Sequence, residues 1–243
     1  MHRSTVCRLL ILCGVLASTW ANAACVDPAL LARSTASIVQ NYDERERDAH
    51  PGIIGVQGTG WFLSPTIMVT AEHVATAMKL STTVWKPLEI AAGDGSELIG
   101  ARIQRLVGGT PEKLAVIELQ RAASDARSVA IRKEPLVPEE QVMTLAYPAG
   151  SSRPVGGRFV RFGEEGKLAG MVLLEMYEGE NRLVIDHGAS GAPVVDCNGR
   201  VAAVITNVLS QSLKLASREI RFSTAWGMPN VVSVPVQVLE EVK

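Results

Sequence analysis

Asp186-His187-Gly188-Ala189-Ser190-Gly191-Ala192-Pro193-Val194 sets a single hydroxyl among small residues just ahead of an apolar run. A serine oxygen becomes a useful nucleophile only with a base in hydrogen-bond reach and donors aimed at the oxyanion it creates. Gly188 and Gly191 leave room for both, since no side chain at either position blocks an approaching carbonyl. Ser190 is therefore the candidate nucleophile. Read alone, the same stretch also fits a glycine-rich turn before a buried strand, Val194-Val195, with Asn198-Gly199 as a hairpin signal leading into Val201–Ile205.

Outward from this stretch the chain keeps a β texture. Ile53–Val56, Gly60–Leu63, Ile67–Thr70, Thr83–Trp85, Glu89–Ala92, Leu98–Leu106, Leu114–Leu119, Gln141–Ala146, Gly157–Phe162, Met171–Met176, Arg182–Ile185 and Val231–Val234 are further strand candidates, and Asp94-Gly95 is a second hairpin signal. Their number and spacing indicate an all-β sandwich or barrel. About 220 residues suit one large β domain or two small barrels packed together. A break between halves falls most naturally in Ser124–Glu140, where charge and proline replace the β pattern. Near the N-terminus, Asp27-Pro28 is a helix start, and Leu30, Leu31, Ile38, Val39 and Tyr42 recur at helical spacing, with Asp43–Asp48 as a solvated end. This predicts a short N-terminal helical extension over residues 24–51, ahead of a β domain over 52–243.

The chain has four histidines, His2, His50, His73 and His187, and none follows Ser190. In an α/β-hydrolase the serine precedes its histidine, so that fold does not suit this order. His73 ends the run Gly58-Thr59-Gly60-Trp61-Phe62-Leu63-Ser64-Pro65, Ile67-Met68-Val69-Thr70-Ala71-Glu72-His73-Val74, two strands and a turn with a histidine at a strand end. A base ahead of the nucleophile fits another arrangement.

Taken together, Gly58–Val74 and Gly188–Val194, 117 residues apart from His73 to Ser190, resemble the two signature regions of trypsin-like (chymotrypsin-fold) serine peptidases, particularly bacterial trypsin-like peptidase domains. A looser likeness extends over Gly52–Leu239. The resemblance implies two packed six-stranded β-barrels, cleavage of a polypeptide substrate through an acyl-enzyme, and no metal or cofactor. It makes His73 the general base and then acid, Ser190 the nucleophile, and the backbone N–H groups of Gly188 and Ser190 the oxyanion hole. Val184 and Ile185 would floor the primary specificity pocket. Neither carries charge, which points to apolar or small side chains in the substrate.

Two departures from the family pattern stand out. An acid normally precedes the apolar strand that resembles Leu114-Ala115-Val116-Ile117, yet Lys113 stands there, with Glu112 one residue earlier. Either a one-residue bulge gives the role to Glu112, or the site works weakly as a dyad, or the chain is an inactive relative that binds peptides or a partner without cutting them. Glu72 replaces the small residue usual before the histidine, and the pattern predicts an ion pair between Glu72 and Lys113. In addition, Ala189 stands where animal relatives carry the aspartate that grips a newly cut N-terminus, so no zymogen cleavage is expected.

Arg3 and Arg8, the apolar Leu9–Leu16 and Ala21-Asn22-Ala23 read as a secretory signal over residues 1–23. Asn22 stands where a lipoprotein signal wants an aliphatic residue, and no later run reaches the roughly 20 apolar residues of a membrane span. The expected location is periplasmic or secreted. Signal removal leaves Cys25 and Cys197, one disulfide in an oxidising compartment. It also leaves 22 basic against 25 acidic residues, with no basic stripe for nucleic acid and no paired Cys or His spacing for a metal.

Overall fold

The computed structural model describes residues 25–109, 112–178, 181–182, 188–215, 218–225 and 227–240. Six strands, β1 (Thr35–Asn41), β2 (Gly55–Ser64), β3 (Ile67–Ala71), β4 (Lys86–Ala92), β5 (Gly95–Val107) and β6 (Leu114–Leu119), close into an antiparallel barrel in the order β1-β2-β3-β6-β5-β4. In the second half lie β7 (Gln141–Ala146), β8 (Arg153–Phe162), β9 (Val172–Glu178), β10 (Asn181–Arg182), β11 (Pro193–Asp196) and β12 (Val201–Val208). A two-stranded hairpin, β13 (Ser210–Leu215) with β14 (Arg218–Ser223), follows, and β15 (Val231–Pro235) ends the strands. The order β10-β9-β15-β12-β11-β7-β8, with β8 also paired to β9, closes a second six-stranded ring that β10 extends. The fold is the all-β double barrel of the chymotrypsin type, with a short N-terminal helix, α1 (Pro28–Ala32).

Alternation along the strands explains how two barrels share one core. Successive side chains point to opposite faces of a strand. In β2, Trp61 joins the layer between the barrels while Phe62 fills the first barrel. In β6, Leu114 and Val116 face the layer while Ala115 and Ile117 face inward. In β7 and β11, Met143, Leu145 and Val195 face the layer, and Val142, Ala146 and Val194 fill the second barrel. Strands apolar on both faces, as in Val194-Val195, are what such a three-part core requires.

The N-terminal segment departs from the helical reading. Asp27 caps α1 through Ala29 N–H at 2.9 Å, but the helix ends at Ala32, and Ile38 and Val39 belong to β1. β1 pairs β2 from Thr35↔Trp61 to Asn41↔Gly55 and closes the barrel against β4, so the first barrel begins before residue 52. The apparent helical period arose because a one-turn helix and a strand share one window. Asp43–Asp48 forms its own helix, α2 (Glu44–Ala49), with an Asp43/Glu46 capping box. Thr83–Trp85 is irregular, β4 starting at Lys86, and β13 and β14 were not anticipated.

Cys25 and Cys197 form the disulfide, with Cα atoms 4.8 Å apart, tying the segment before α1 to the β11–β12 turn. No helix among the described residues is long and apolar enough to cross a membrane.

Candidate active site

β3 stops at Ala71, and the chain turns directly into α3 (Glu72–Ala77), so His73 is the second residue of a helix rather than the end of a strand. Glu72 N–H donates to Lys113 O at 3.0 Å, which extends the Ala71↔Leu114 pairing and seats α3 against the segment entering β6. The carboxylate beside the imidazole belongs to Glu112. Its Oε2 lies 3.8 Å from His73 Nδ1, with 47% of the histidine and 31% of the glutamate side chain exposed. That separation exceeds a hydrogen bond, but it sets an acceptor on the Nδ1 side of the ring. The expected Glu72–Lys113 ion pair is not formed among the described residues: their link is the backbone bond, which fixes the two chains without requiring their side chains to meet.

Ser190 lies in a turn whose carbonyls from Gly188 to Ser190 are engaged. Gly188 O accepts from Thr59 Oγ1 at 2.6 Å, Ala189 O from Ala192 N–H at 3.0 Å, and Ser190 O from Thr59 N–H at 2.9 Å. The N–H groups of Gly188 and Ser190 have no acceptor among the described residues. Gly188 and Gly191 take φ of +103° and +91°, left-handed values that glycine adopts at low cost. Gly191 N–H donates to Ile205 O at 2.7 Å, which docks the turn on β12. The half-buried Ser190 Oγ is 3.3 Å from Thr206 O, its hydrogen-bond acceptor.

Gly58 and Thr59 of β2 bring the two halves together. A side chain at 58 would collide with Val74 of α3, while Thr59 holds the Ser190 turn. The helix that carries His73 thus packs on Gly58 through Val74, and the turn that carries Ser190 is held by Thr59, neighbouring residues of one strand. Thr59 itself was not singled out in the sequence, although its place between two glycines of the histidine motif was the available signal. Thr70 Oγ1 donates to Thr59 O at 2.7 Å, and Tyr147 N–H to Thr59 Oγ1 at 3.1 Å.

Val184 and Ile185 lie outside the described residues. The second barrel does hold a buried acid, Glu175, but Arg158 occupies it at 2.8 and 3.1 Å, and Gly227 N–H donates to it at 2.7 Å. Burial alone would raise its pKa, and hydrogen bonds from Tyr177, Arg158 and Gly227 outweigh that and hold it below the usual carboxylate value. Asn230 completes this end of the barrel: its side chain accepts from Met176 N–H at 2.8 Å and donates to Met176 O at 3.0 Å, a surrogate for a strand neighbour. No group of three or more metal-binding side chains converges among the described residues.

The crystal structure of the active form of Rv3671c protease from M. tuberculosis superposes with a TM-score of 0.57 at 16% identity, covering 88% of this chain and 82% of that one. Its inactive form gives 0.54 at 17% over 88% and 90%, and Deg5 gives 0.55 at 14% over 86% and 87%. At such identities the likeness is one of fold. No curated protein matches the chain. The profile of the trypsin-like peptidase domain, however, matches residues 58–204, which span both candidate catalytic residues and the strands that hold them, and the chain belongs to that family.

Proposed function

We propose that this chain is an exported serine endopeptidase in which His73, Ser190 and Glu112 form the catalytic triad. The observation that carries the reading is the Glu112 carboxylate 3.8 Å from His73 Nδ1, on the side of the ring where an acid orients the base. His73 Nε2 takes the Ser190 proton as Oγ bonds to the scissile carbonyl carbon. The oxyanion then accepts from the N–H groups of Gly188 and Ser190. Collapse breaks the C–N bond, the imidazolium protonates the leaving amine, and water repeats the sequence in reverse to free the acid product. Apo hydrogen bonds in such sites are commonly long and tighten when substrate arrives. The secretory signal and the Cys25–Cys197 disulfide support export to the periplasm or beyond. Val184 and Ile185 support a preference for apolar or small substrate side chains.

A second reading, a peptide-binding relative without cleavage, draws on the Ser190 Oγ bond to Thr206 O in place of one to His73. Labelling of the mature protein by a fluorophosphonate separates the two. Labelling that Ser190→Ala abolishes, that Glu112→Gln slows by about 10²- to 10⁴-fold and that Lys113→Ala leaves nearly intact supports the triad. An unlabelled native protein overturns it in favour of peptide binding.

A further inference from the structure

We infer that Thr59 is a positioning residue for the oxyanion-binding turn, acting across the barrel interface; the inference rests on the reading of Ser190 as nucleophile. Thr59 is fully buried, and every polar atom it owns is engaged. Its hydroxyl must accept from Tyr147, because a backbone N–H can only donate. The hydroxyl proton is therefore directed at Gly188 O, which can only accept.

Three consecutive peptide planes make up the turn. The plane joining residues 188 and 189 is held by Thr59 Oγ1, and the plane joining 190 and 191 by Thr59 N–H. The plane between them, which carries the Ser190 N–H, is held by Ala192 N–H on Ala189 O. With both flanking planes fixed to the first barrel, the middle plane has no freedom to reorient its N–H. One residue of the N-terminal half, through its hydroxyl and its N–H, thus sets the direction of the Ser190 N–H donor in the C-terminal half. Thr70 holds the carbonyl of Thr59 from behind, which keeps the whole clasp in register with β3 and with the helix that carries His73.

The first consequence concerns rate rather than recognition. Thr59 touches no substrate, so its loss should leave reagent or substrate affinity close to native and slow the chemical step. A displacement of about 1 Å in such a site costs on the order of 10²-fold. Phosphonylation by a fluorophosphonate reads this directly: Oγ–P forms as His73 takes the Oγ proton, P–F breaks, fluoride leaves, and the phosphoryl oxygen takes the place of the oxyanion against the same donors.

The experiment compares saturation kinetics of labelling for the native mature protein, Thr59→Val, Thr59→Ser and Thr144→Val, with the folded fraction of each fixed by urea unfolding. Thr144 is a fully buried threonine whose hydroxyl bonds Pro193 O at 2.7 Å, so its valine variant removes a bond of the same kind outside the turn. A roughly 10- to 100-fold lower maximal rate for Thr59→Val at unchanged half-saturation, rescue by Thr59→Ser and native behaviour of Thr144→Val are the results expected. If the valine variant does not fold, Thr59→Ala, which adds no bulk, must give the same split. Native rates in Thr59→Val, or a loss matched by Thr144→Val, overturn the inference while leaving the nucleophile standing. An unlabelled native protein overturns both.

Discussion

Gly191→Ala tests the close approach of the serine turn to the first barrel. At φ of +91° the residue occupies left-handed backbone, which costs a residue with a Cβ about 1–2 kcal/mol. Its Cβ would also fall on Thr59 O and Thr70 Oγ1, two atoms already bonded to each other at 2.7 Å and unable to part without loss. Overpacking of this kind costs about 1–3 kcal/mol, and breaking the Thr59–Thr70 bond about another 1 kcal/mol. The expected total, about 3–6 kcal/mol, is a large part of the 5–15 kcal/mol available to a typical domain. Gly199→Ala supplies the comparison, because Gly199 has φ of +73° but an open surround, with Val26 Cγ1 at 4.0 Å the nearest atom to the added Cβ. It should lose only the conformational part, about 1–2 kcal/mol. Equilibrium unfolding in urea measures both, and the packing contribution is their difference. A Gly191→Ala variant no less stable than Gly199→Ala would refute the idea that Thr59 and Thr70 leave no room above the turn.

Other outcomes follow from the charged groups and the disulfide. Glu175 and Asp196 both have folded pKa values below their ordinary values of 4.5 and 3.8, since bonds from Tyr177 and Arg158, and from Arg200 and Asn198, outweigh burial. Their stabilisation is therefore complete above those values and is lost as pH falls through the lower folded ones, so the urea midpoint should hold from pH 7 to about 5 and drop below about 4.5. Glu175→Gln should lower the neutral-pH midpoint and flatten the acid decline, and equal slopes for variant and native would refute its part. Removing the disulfide as Cys25→Ala/Cys197→Ala frees a closure spanning a sequence separation of 172, for which chain entropy gives about 5 kcal/mol. A urea-measured loss of about 2–5 kcal/mol is expected.

What the sequence disclosed was what short windows encode. Gly58–Val74 and Gly188–Val194 announce themselves because turn glycines, a histidine and a serine stand beside apolar strands, and the doubled apolar pattern of Val194-Val195 already implies burial on both faces. The N-terminal strand escaped because Ile38 and Val39 follow a genuine helix start, and periodicity over a window cannot separate one helical turn from the strand after it. β13 and β14 escaped for a different reason: Ser210–Leu215 and Arg218–Ser223 mix charge and apolar residues without the turn signals that mark the other hairpins. Thr59 was quoted within a motif and still passed over, because its role depends on partners 88 and 129 residues away. Local pattern names the candidate reacting groups, and the long-range contacts that would aim them are visible only once the barrels are packed.

Glu112 brings these two kinds of information to one residue. β6 begins at Leu114, whose side chain the core claims, and Lys113 is committed through its carbonyl to Glu72. Strand alternation does not bind Glu112, which precedes the strand, so its side chain can reach back to the imidazole. With 47% and 31% of the two side chains exposed, water screens the pair in the free protein, and such exposed pairs contribute about 0.2–1 kcal/mol. In the proposed mechanism a bound polypeptide would displace that water, and the same pair would then support an imidazolium in a medium of lower effective dielectric. The contribution of Glu112 should accordingly be small in the fold and large in the reaction. Glu112→Gln should keep the unfolding free energy measured in urea within about 1 kcal/mol of native while slowing labelling of Ser190 by two orders of magnitude or more. A variant that loses stability and labelling in proportion would make Glu112 a structural residue, and would return the triad acid to the unanswered position occupied by Lys113.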